Sequence, residues 1–585
     1  MFGHSMLLRI SKYFLLTLFV LSVFLYLLKI ESRLVEKQSN NCVPQRKYAL
    51  YGRHAEEGIL QHVEEVMDSL GYSNTSIDDD WSLLWCHDYP FKKLKPRMMK
   101  IKPNQMVNHF PGSGYITNKV NLATSGLPYV PKAFKLPNQK GEFKDYAFKN
   151  PEKLFVIKSN NHRGINIRKI TDVDLEVEGT FVQEFIDEPL LIDGYKFDIG
   201  VYIVITSIDP LRAYLYDGDV LLRFCPEKYE PLDVNNTDKY VVHDNYRPVW
   251  EVASLAKHFK NSGFGMKASL DTYLKSQGKN PEEIWQQAYE AIRAILLSKE
   301  QALVTTTEAY PSKRSFFELM RFDFALDRYF RMYIMEANMS PNLSSEHFPP
   351  NRLLYLQVIY STLSLVGLGR RGHTDNTEMV WDPGFQKLPR DQPDYKPVGK
   401  EQYGFLEHWR KMTCIFYDWY HVRYERGHCG IGRANMSPNL SSEHFPPNRL
   451  LYLQVIYSTL SLVGLGRRGH TDNTEMTWLQ APLETEAAMK DIVVFPEICG
   501  KCTSCNEQRC KLCLWCLDKN KELKETLFFA HREFMNRHFY RRIIPPPLSE
   551  AEAKSGYEAI EGLTEINQIM HEWIRGKCLL DKSWC

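Results

Sequence analysis

The sequence lacks a strong excess of charge of either sign. Its 585 residues include 73 lysines and arginines against 71 aspartates and glutamates, which gives a formal net charge of +2 at pH 7. Bulk electrostatics therefore give no reason to expect a nucleic-acid partner, because such proteins grip a polyanion with a basic surface. The 44% hydrophobic and 25% charged residues are typical of a globular protein. The length predicts several domains, or one large domain with additions.

The apolar segment at residues 13–30 differs from a cleaved signal peptide in two ways. No small-x-small cleavage site follows it, and it is longer than a usual signal core. A spanning helix needs roughly 17–25 residues, and Lys29 can extend its charged end to the interface. We therefore predict an N-terminal tail at 1–12, a single-pass membrane anchor at 13–30 and a polar linker at 31–47. Lysines and arginines flank the run too evenly to set its orientation.

Residues 316–343 predict a buried hairpin that brings three polar side chains to one point. Asp323 stands between two phenylalanines, and after a turn a second β-like run ends in Glu336-Ala-Asn338. Residues two apart on a strand face the same side. Oxygen ligands of this kind suit Mg²⁺, which prefers carboxylates and substrate phosphates. We therefore predict that Asp323, Glu336 and Asn338 hold Mg²⁺; the alternative is a solvated carboxylate at a strand end.

A lysine at the end of a strand marks a second candidate site. The short β-like run at 154–157 ends in Lys158, and a polar loop with Arg163 and Gly164 follows. Such a lysine and a flexible basic loop can neutralise nucleotide phosphates. A surface hairpin would have the same pattern, so the loop alone does not decide between the two.

Three further charged residues lie close to or within predicted strands. Lys196 and Asp198 share one face just before a buried strand at 200–206. Residues 217–219, Asp-Gly-Asp, predict a hairpin turn between two strands, and Arg223 lies in the second of them.

Farther along, Asn280 and the following proline predict the start of an amphipathic helix.

The order of these motifs resembles the tubulin–tyrosine ligase-like family of the ATP-grasp fold. The segments that carry the resemblance are NHFPG at 108–112, FVIK at 155–158, the long block at 181–224, FELMRFDFALD at 317–327 and MEANMSPNL at 335–343. The resemblance implies an α+β protein, an ATP-grasp ligase fold with an N-terminal, a central and a C-terminal lobe, followed by a cysteine-rich tail. We assign this ligase domain to residues 48–380.

The resemblance also implies a reaction and a set of partners. Members of the family join an amino acid to tubulin tails with ATP and Mg²⁺, through an acyl phosphate that an amine then displaces. Glutamate is the expected amino acid, because the YKFD pattern looks closer to glutamylase-like members. The implied partners are therefore tubulin or microtubules and glutamate, besides a membrane through the anchor.

Each family role is carried onto a matching residue of this chain. The implied catalytic residues are Lys196, Asp198, Arg223 and Glu336. The implied nucleotide-binding residues are Lys158, Arg163, Gly164, Gln183, Glu184, Phe185, Ile186, Lys196, Asp198 and Arg223, with adenine on the backbone of 183–186. The implied Mg²⁺ ligands are again Asp323, Glu336 and Asn338.

The chain departs from the family pattern at two single residues, and also in a shorter loop after Lys158 and in an HDNY motif one residue short of the family's HLTNY. The family commonly has an arginine two residues after the Lys-x-Asp aspartate, where this chain has Gly200, and a glycine before Phe-Asp-Phe, where it has Arg321. A missing charge near the transferring phosphate can cost orders of magnitude in rate. Two function classes therefore stay open: an active ligase, and a membrane-tethered pseudo-ligase that binds nucleotide or a peptide tail without efficient catalysis.

One segment of the chain is present twice. Residues 337–379 recur without a difference at 434–476, after a linker or extension at 381–433. Arg433 stands where Glu336 stands in the first copy, so the second copy is predicted to hold no metal site. We interpret the repeat as a recently duplicated or alternative coding segment, because solenoid repeats diverge and come in larger numbers.

The C-terminal region at 477–585 is rich in cysteine. Six cysteines recur at CxxC spacing: Cys499, Cys502, Cys505, Cys510, Cys513 and Cys516. Close CxxC pairs are typical of zinc or iron–sulfur ligation in a reducing compartment, whereas the same residues behind a membrane anchor fit disulfides. Zinc would accompany a cytoplasmic catalytic domain with tubulin as substrate, and disulfides a lumenal one.

Overall fold

The computed structural model describes residues 46–53, 55, 58–159, 166–168, 174–261, 265–369, 492–556 and 563–585. The predicted tail at 1–12, the anchor at 13–30, the segment at 381–433 and the second copy at 434–476 lie outside these residues. Arg163 and Gly164 lie outside them too. The domain boundaries drawn from the sequence remain predictions, except that the last residue of the 31–47 linker, Lys47, already begins a strand.

Helices and strands are both well represented, as the predicted α+β class requires. The strands are β1 (Lys47–Tyr51), β2 (Ser73–Asn74), β3 (Leu83–Cys86), β4 (Met106–Val107), β5 (Ala133–Lys135), β6 (Phe155–Ser159), β7 (Asn166–Arg168), β8 (Thr180–Glu184), β9 (Phe197–Ile208), β10 (Leu211–Tyr216), β11 (Leu221–Phe224), β12 (Arg247–Pro248), β13 (Glu318–Leu326), β14 (Met332–Asn338) and β15 (Tyr540–Ile544).

The α-helices are α1 (Gln61–Ser69), α2 (Pro90–Lys93), α3 (Lys95–Met98), α4 (Gly114–Thr117), α5 (Lys119–Ala123), α6 (Lys140–Lys149), α7 (Ala253–Asn261), α8 (Met266–Ser276), α9 (Pro281–Thr307), α10 (Arg352–Leu365), α11 (Pro496–Cys499), α12 (Leu514–Leu517), α13 (Lys521–Met535), α14 (Glu550–Ser555) and α15 (Glu565–Leu580). Short 3₁₀ turns lie at Thr237–Lys239, Val249–Glu251, Lys313–Ser315, Pro349–Asn351, Cys510–Leu512 and Lys582–Trp584.

The described strands form three sheets. A parallel four-stranded sheet has the order β2-β1-β3-β4, and an antiparallel one has the order β5-β8-β6-β7. The third sheet has seven strands: β12-β11-β9-β10-β15, with β13 also paired to β9 and β14 paired to β13. Every residue of β13 is buried, so its apolar side chains hold this sheet in the main core.

The long strand β9 organises the seven-stranded sheet. It pairs with β11 at its start, with β10 at its end and with β13 over residues 199–205. The predicted hairpin between β10 and β11 is therefore wrong, because both strands use β9 as their partner. The carboxylate of Asp219 instead accepts hydrogen bonds from the backbone of Met266 and Lys267 at the start of α8.

The helix predicted to begin after Asn280 is confirmed. The Asn280 side chain accepts a hydrogen bond from the backbone N–H of Glu282, as an N-cap should. The helix continues to Thr307, and its apolar stripe packs into the same core as β13.

The cysteine-rich tail folds onto the seven-stranded sheet. Strand β15 pairs antiparallel with β10, and Arg212 on β10 forms a buried ion pair with Glu533 on α13. The tail also has an apolar core of its own, which includes Trp573 and Leu527. Residues far apart in the sequence therefore close one edge of the sheet.

The tail cysteines are paired as disulfides. The pairs are Cys499–Cys513, Cys502–Cys510, Cys505–Cys516 and Cys578–Cys585. A disulfide sulfur is not a thiolate and cannot serve as a structural zinc ligand of the usual kind. The zinc alternative for the tail is therefore not supported, and no described group of three or more His, Cys, Asp or Glu side chains could hold a metal ion.

The membrane prediction needs correction. None of the described helices combines the length and the apolar character that crossing a bilayer requires. This finding contradicts the assignment of the chain as a single-pass membrane protein with its catalytic domain on either side. The segment on which that assignment rested, residues 13–30, lies outside the described residues.

Candidate functional site

Four neighbouring strands bring the predicted polar residues to one face of the seven-stranded sheet. Asp323 on β13 pairs with Gly200 on β9 and with Glu336 on β14. On the other edge of β9, Asp198 pairs with Arg223 of β11. Because side chains alternate along a strand, residues in these registers share one face.

A β-bulge lies beside the central pair. Asp323 pairs with Glu336, but the next residue, Phe324, pairs with Ile334, so Met335 is an extra residue in β14. Bulges bend a strand and re-aim its side chains, and they often lie next to functional sites. Because of the extra residue, Glu336 shares the face of Asp323, whereas Ile334 lies on the opposite face and is buried.

The carboxylate of Asp323 is the centre of the site. Arg321 donates to both of its oxygens, from Nε to Oδ1 at 2.6 Å and from Nη2 to Oδ2 at 2.9 Å. Nη2 of Arg223 and Nδ2 of Asn338 also donate to Oδ2, at 2.9 Å and 3.0 Å. Burial alone would raise the pKa of Asp323, but the two guanidinium groups outweigh it and lower the pKa to about 2.

Arg223 joins the two buried aspartates. Its Nε and Nη2 donate to Oδ1 and Oδ2 of Asp198 at 2.9 Å and 2.8 Å, and Nη2 also reaches Asp323. Bidentate arginine–carboxylate pairs fix geometry as well as charge. Burial raises the pKa of Asp198 to about 6, although Arg223 acts in the opposite direction. The two aspartates therefore differ in proton affinity by environment alone.

Glu336 has more freedom than Asp323. Its Oε1 accepts a hydrogen bond from Nδ2 of Asn338 at 3.1 Å, and its Oε2 lies 2.9 Å from Nζ of Lys119. The Glu336 side chain is 30% exposed, whereas that of Asp323 is 2% exposed. The predicted convergence of Asp323, Glu336 and Asn338 is thus present in the structure.

Asp323, Glu336 and Asn338 differ in how available their oxygen atoms are to a metal ion. Their carboxylates and amide are oxygen donors of the type that Mg²⁺ takes. Both oxygens of Asp323 already accept from arginine side chains, whereas the Glu336 side chain is partly exposed and contacts the amide of Asn338 and the ammonium group of Lys119. Glu336 is therefore the residue best placed to reach a metal that arrives with substrate phosphates.

Two lysines lie near the carboxylates without a carboxylate partner among the described residues. Nζ of Lys158 donates to the Gln183 side chain at 3.0 Å, and Nζ of Lys196 donates to the backbone carbonyl of Tyr240 at 2.9 Å. Nζ of Lys196 also lies 4.9 Å from the centre of the Phe185 ring. Burial lowers the pKa of both lysines, that of Lys158 to about 8. A bound anion would compensate each ammonium group for the hydration that it loses on burial.

The predicted adenine-binding segment is partly engaged within the protein. The backbone N–H of Glu184 donates to the carbonyl of Lys132 at 2.8 Å, and that of Phe185 donates to the carbonyl of Leu154 at 2.9 Å. The side chain of Glu184 pairs with Lys153 and accepts from Tyr146. Ile186, two residues after the end of β8, is therefore the part of this segment best placed to offer backbone groups to a ligand.

Sequence reasoning did not assign two residues to the site: Arg321, noted only as a departure from the family pattern, and Lys119. An arginine within an apolar strand, two residues before an aspartate, is the signal that could have identified Arg321, because an unpaired buried charge is unfavourable. Two of the departures from the family pattern, Gly200 and Arg321, also meet in space: a Cβ atom on Gly200 would lie 2.8 Å from Cδ of Arg321. Lys119 gave no comparable signal, since its contact with Glu336 spans more than two hundred residues of sequence.

Comparison with known proteins adds an independent result. Residues 97–373 match the sequence model of the tubulin-tyrosine ligase family. The chain is 46% identical over 322 residues to the probable tubulin polyglutamylase ttll-15 of Caenorhabditis elegans, a match that covers 54% of this chain and 63% of that protein. It is 29% identical over 332 residues to the tubulin polyglutamylase TTLL6 of Mus musculus, covering 52% of this chain and 39% of that protein.

A monoglutamylase shows a similar degree of likeness. The chain is 30% identical over 325 residues to the tubulin monoglutamylase TTLL4 of Mus musculus, covering 52% of this chain and 27% of that protein. The chain thus spans less than two thirds of the length of each of these three relatives.

Proposed function

Because residues 97–373 form a domain of the tubulin-tyrosine ligase family, we propose that this protein is an ATP-dependent ligase that adds glutamate to tubulin tails. The observation that carries the proposal is a cluster of cationic side chains beside oxygen donors. Arg223, Glu336 and Asn338 lie on one face of the seven-stranded sheet, Lys196 directly precedes β9, and Lys158 lies on β6 of the β5-β8-β6-β7 sheet. Lys158, Lys196 and Arg223 supply positive charge for phosphates, and Glu336 with Asn338 supplies oxygen donors beside them. The bound nucleotide would lie between this face and the β5-β8-β6-β7 sheet, as in the ATP-grasp arrangement.

The proposed reaction has two steps. A carboxylate oxygen of the acceptor attacks the terminal phosphorus of ATP, the bond to the bridging oxygen breaks and ADP leaves. The amine nitrogen of the incoming glutamate then attacks the acyl carbon of the mixed anhydride. An amide forms, phosphate departs with the electron pair of the broken bond, and the amine nitrogen loses a proton.

The first step transfers a phosphoryl group from one anion to another, and the second releases phosphate as the leaving group. Positioning and electrostatic stabilisation of this negative charge must therefore lower the barriers. Lys158 and Lys196 would hold nucleotide phosphates, because each ammonium is desolvated and gains from an anionic partner. Arg223, fixed by Asp198, would hold an oxygen of the group in transfer. Mg²⁺ on Glu336 and Asn338 would supply further neutralisation of the phosphate charge.

A second candidate is a protein that binds nucleotide or a peptide tail without efficient catalysis. The observation that favours it is the state of Asp323, whose two oxygens already accept from Arg321, Arg223 and Asn338. A carboxylate neutralised in this way offers less to a metal ion. The two candidates therefore differ in turnover, and both predict nucleotide binding.

The decisive experiment compares wild type with Glu336→Gln in ATP-dependent incorporation of labelled glutamate into tubulin. We expect wild-type activity and a loss of about 10²-fold or more in the variant, the size typical of removing one stabilising group from a transition state. Glu188→Gln, at an exposed ion pair with Arg328, is the matched control and should keep full activity. A wild-type protein that binds nucleotide but incorporates no glutamate would overturn the ligase proposal and favour the second candidate.

A further inference from the structure

We propose that Arg321 is a substrate-binding residue, and that its guanidinium and that of Arg223 together form a two-arginine subsite for the oxyanion of the group in transfer. This inference rests on the proposed ligase function and adds a binding residue to it. It follows from where Arg321 lies, what makes room for it and which of its donors are still available.

Arg321 lies in a place where a charge is costly. Strand β13 is buried along its whole length, and Arg321 is 6% exposed. A buried cation persists only when it is paired and hydrogen-bonded. Asp323 satisfies this condition from two residues away on the same face, with both carboxylate oxygens. A hydrophobic residue would fill the position at lower cost, so the arginine has a reason beyond packing.

A glycine on the neighbouring strand makes room for this side chain. A Cβ atom on Gly200 would meet Cδ of Arg321 at 2.8 Å, Nε at 3.3 Å and Oδ1 of Asp323 at 3.3 Å. Real Cβ atoms do not approach other heavy atoms as closely as 2.8 Å, so a larger residue at 200 would displace Arg321 or Asp323. Residues 200 and 321 are therefore coupled: only one of them can carry a large side chain in this volume.

The two guanidinium groups lie side by side on one carboxylate. Nη2 of Arg321 and Nη2 of Arg223 each donate to Oδ2 of Asp323 at 2.9 Å. Each arginine uses Nε and Nη2 for aspartates, and neither Nη1 donates to another described residue. The side chains of Arg321 and Arg223 retain 8% and 16% exposure. Each therefore keeps a donor for a ligand while the aspartates fix its orientation.

Paired planar guanidiniums recognise oxyanions such as phosphate and carboxylate. Within the proposed reaction two anions fit: the terminal phosphate of ATP, and the carboxylate of the glutamate to be added. Both would bind through the same N–H donors. The kinetic test separates them, because loss of a phosphate contact acts on ATP and loss of a carboxylate contact acts on glutamate.

The test uses the full-length protein and three variants at these two positions. Arg321→Gly removes the guanidinium and leaves a space above Gly200, Arg321→Gln removes the charge with less change in volume, and the double variant Gly200→Arg with Arg321→Gly returns an arginine from the other strand. Glutamylation of tubulin is measured with ATP and glutamate varied separately. Thermal unfolding of each variant reports folding, and free guanidinium ion is added to Arg321→Gly below denaturing concentrations.

We expect kcat/KM to fall by about 10²-fold in Arg321→Gly and Arg321→Gln, as for the loss of one charged donor. A fall confined to the ATP titration identifies phosphate as the anion, and a fall confined to the glutamate titration identifies the carboxylate. The double variant and the added guanidinium ion should each restore much of the lost rate, which a merely structural role of Arg321 would not produce.

Two results would overturn the inference, and a third would overturn its premise. Folded Arg321 variants with near wild-type kcat/KM contradict it, as does a loss that neither the double variant nor guanidinium ion repairs. If wild type itself incorporates no glutamate, the proposed function fails and this inference fails with it. If wild type is active and the Arg321 variants are equally active, this inference fails but the proposed function stands.

Discussion

Arg321 and Gly200 fill one volume between them: the arginine side chain lies where a side chain at residue 200 would project, 2.8 Å from the position of its Cβ atom. Gly200→Ala should therefore destabilise the fold. Arg321 cannot move aside without lengthening two hydrogen bonds to Asp323, so the methyl group is accommodated only with strain. We expect the free energy of unfolding in urea to fall by about 1–3 kcal/mol, the usual cost of overpacking.

The control places the same substitution in an Arg321→Gly background. There the methyl group of Gly200→Ala meets no arginine, and replacing glycine in a strand reduces the entropy of the unfolded chain. We expect no loss of stability, and a gain if the backbone accepts alanine without strain. An equal cost in both backgrounds would show that residues 200 and 321 are not coupled.

Nucleotide binding should depend on pH through Lys158. Burial lowers the pKa of Lys158 to about 8, so its ammonium loses the proton near this pH in the free protein. Only the charged form attracts phosphate, and the affinity for Mg–ATP should therefore fall as the pH rises through about 8. A bound phosphate raises the pKa of the lysine, so binding near this pH takes up protons. Calorimetry in two buffers of different ionisation enthalpy measures that uptake.

The effect of Lys158 on stability has the opposite sign. Between its folded pKa of about 8 and the unfolded value of 10.5, the unfolded chain binds more protons, so stability contributed by this group rises with pH in that window.

Two variants test the role of Lys158 in binding. Lys158→Arg stays protonated and should remove the pH dependence of nucleotide binding, whereas Lys158→Gln should bind nucleotide weakly at every pH. An unchanged slope in Lys158→Arg would assign the titration to another group.

Local pattern was enough to predict the hairpin at the centre of the site. The alternation of apolar and polar residues fixes which side chains share a face, and the two strands are neighbours in sequence, so Asp323 and Glu336 could be paired in advance. The helix at Asn280 was predictable for the same reason, because its cap and first turn are adjacent residues.

Features that depend on distant strands could not be predicted in this way. The contact of Arg321 with Gly200 can be predicted only if β13 is known to lie beside β9. The turn at Asp219 has the pattern of a hairpin, but its carboxylate accepts hydrogen bonds from backbone N–H groups at the start of α8. The docking of β15 on β10 joins residues more than three hundred positions apart. CxxC spacing is likewise compatible with both metal ligation and disulfide bonds, so it does not distinguish between them.

Glu533 should be essential for the attachment of the tail to the sheet. Its carboxylate accepts from Nε and Nη2 of Arg212 at 2.9 Å each, from Thr206 at 3.0 Å and from Tyr214 at 3.1 Å. Glu533→Gln leaves Arg212 buried without a counter-charge, which should cost about 3–5 kcal/mol in the free energy of unfolding. Urea unfolding measures the loss, and limited proteolysis shows whether the tail detaches first.

The matched control for Glu533 is again Glu188→Gln. Glu188 and Arg328 form an ion pair whose side chains are 46% and 60% exposed, so solvent already screens the charges and little change in stability is expected. If Glu533→Gln were as stable as this control, the buried ion pair would not be what holds the tail.

The tail should contain disulfides and no stoichiometric zinc. The six clustered cysteines and the pair Cys578–Cys585 are all bonded, whereas Cys86 and Cys225 are the free thiols among the described residues. Alkylation of the denatured, unreduced protein followed by peptide mapping should label Cys86 and Cys225 and leave the tail cysteines unlabelled until a reductant is added. Each short disulfide loop contributes on the order of 2–4 kcal/mol, so reduction should also make the tail sensitive to protease. Tightly bound zinc together with alkylated tail cysteines would contradict this arrangement, because a sulfur cannot be a zinc-binding thiolate and half of a disulfide at once.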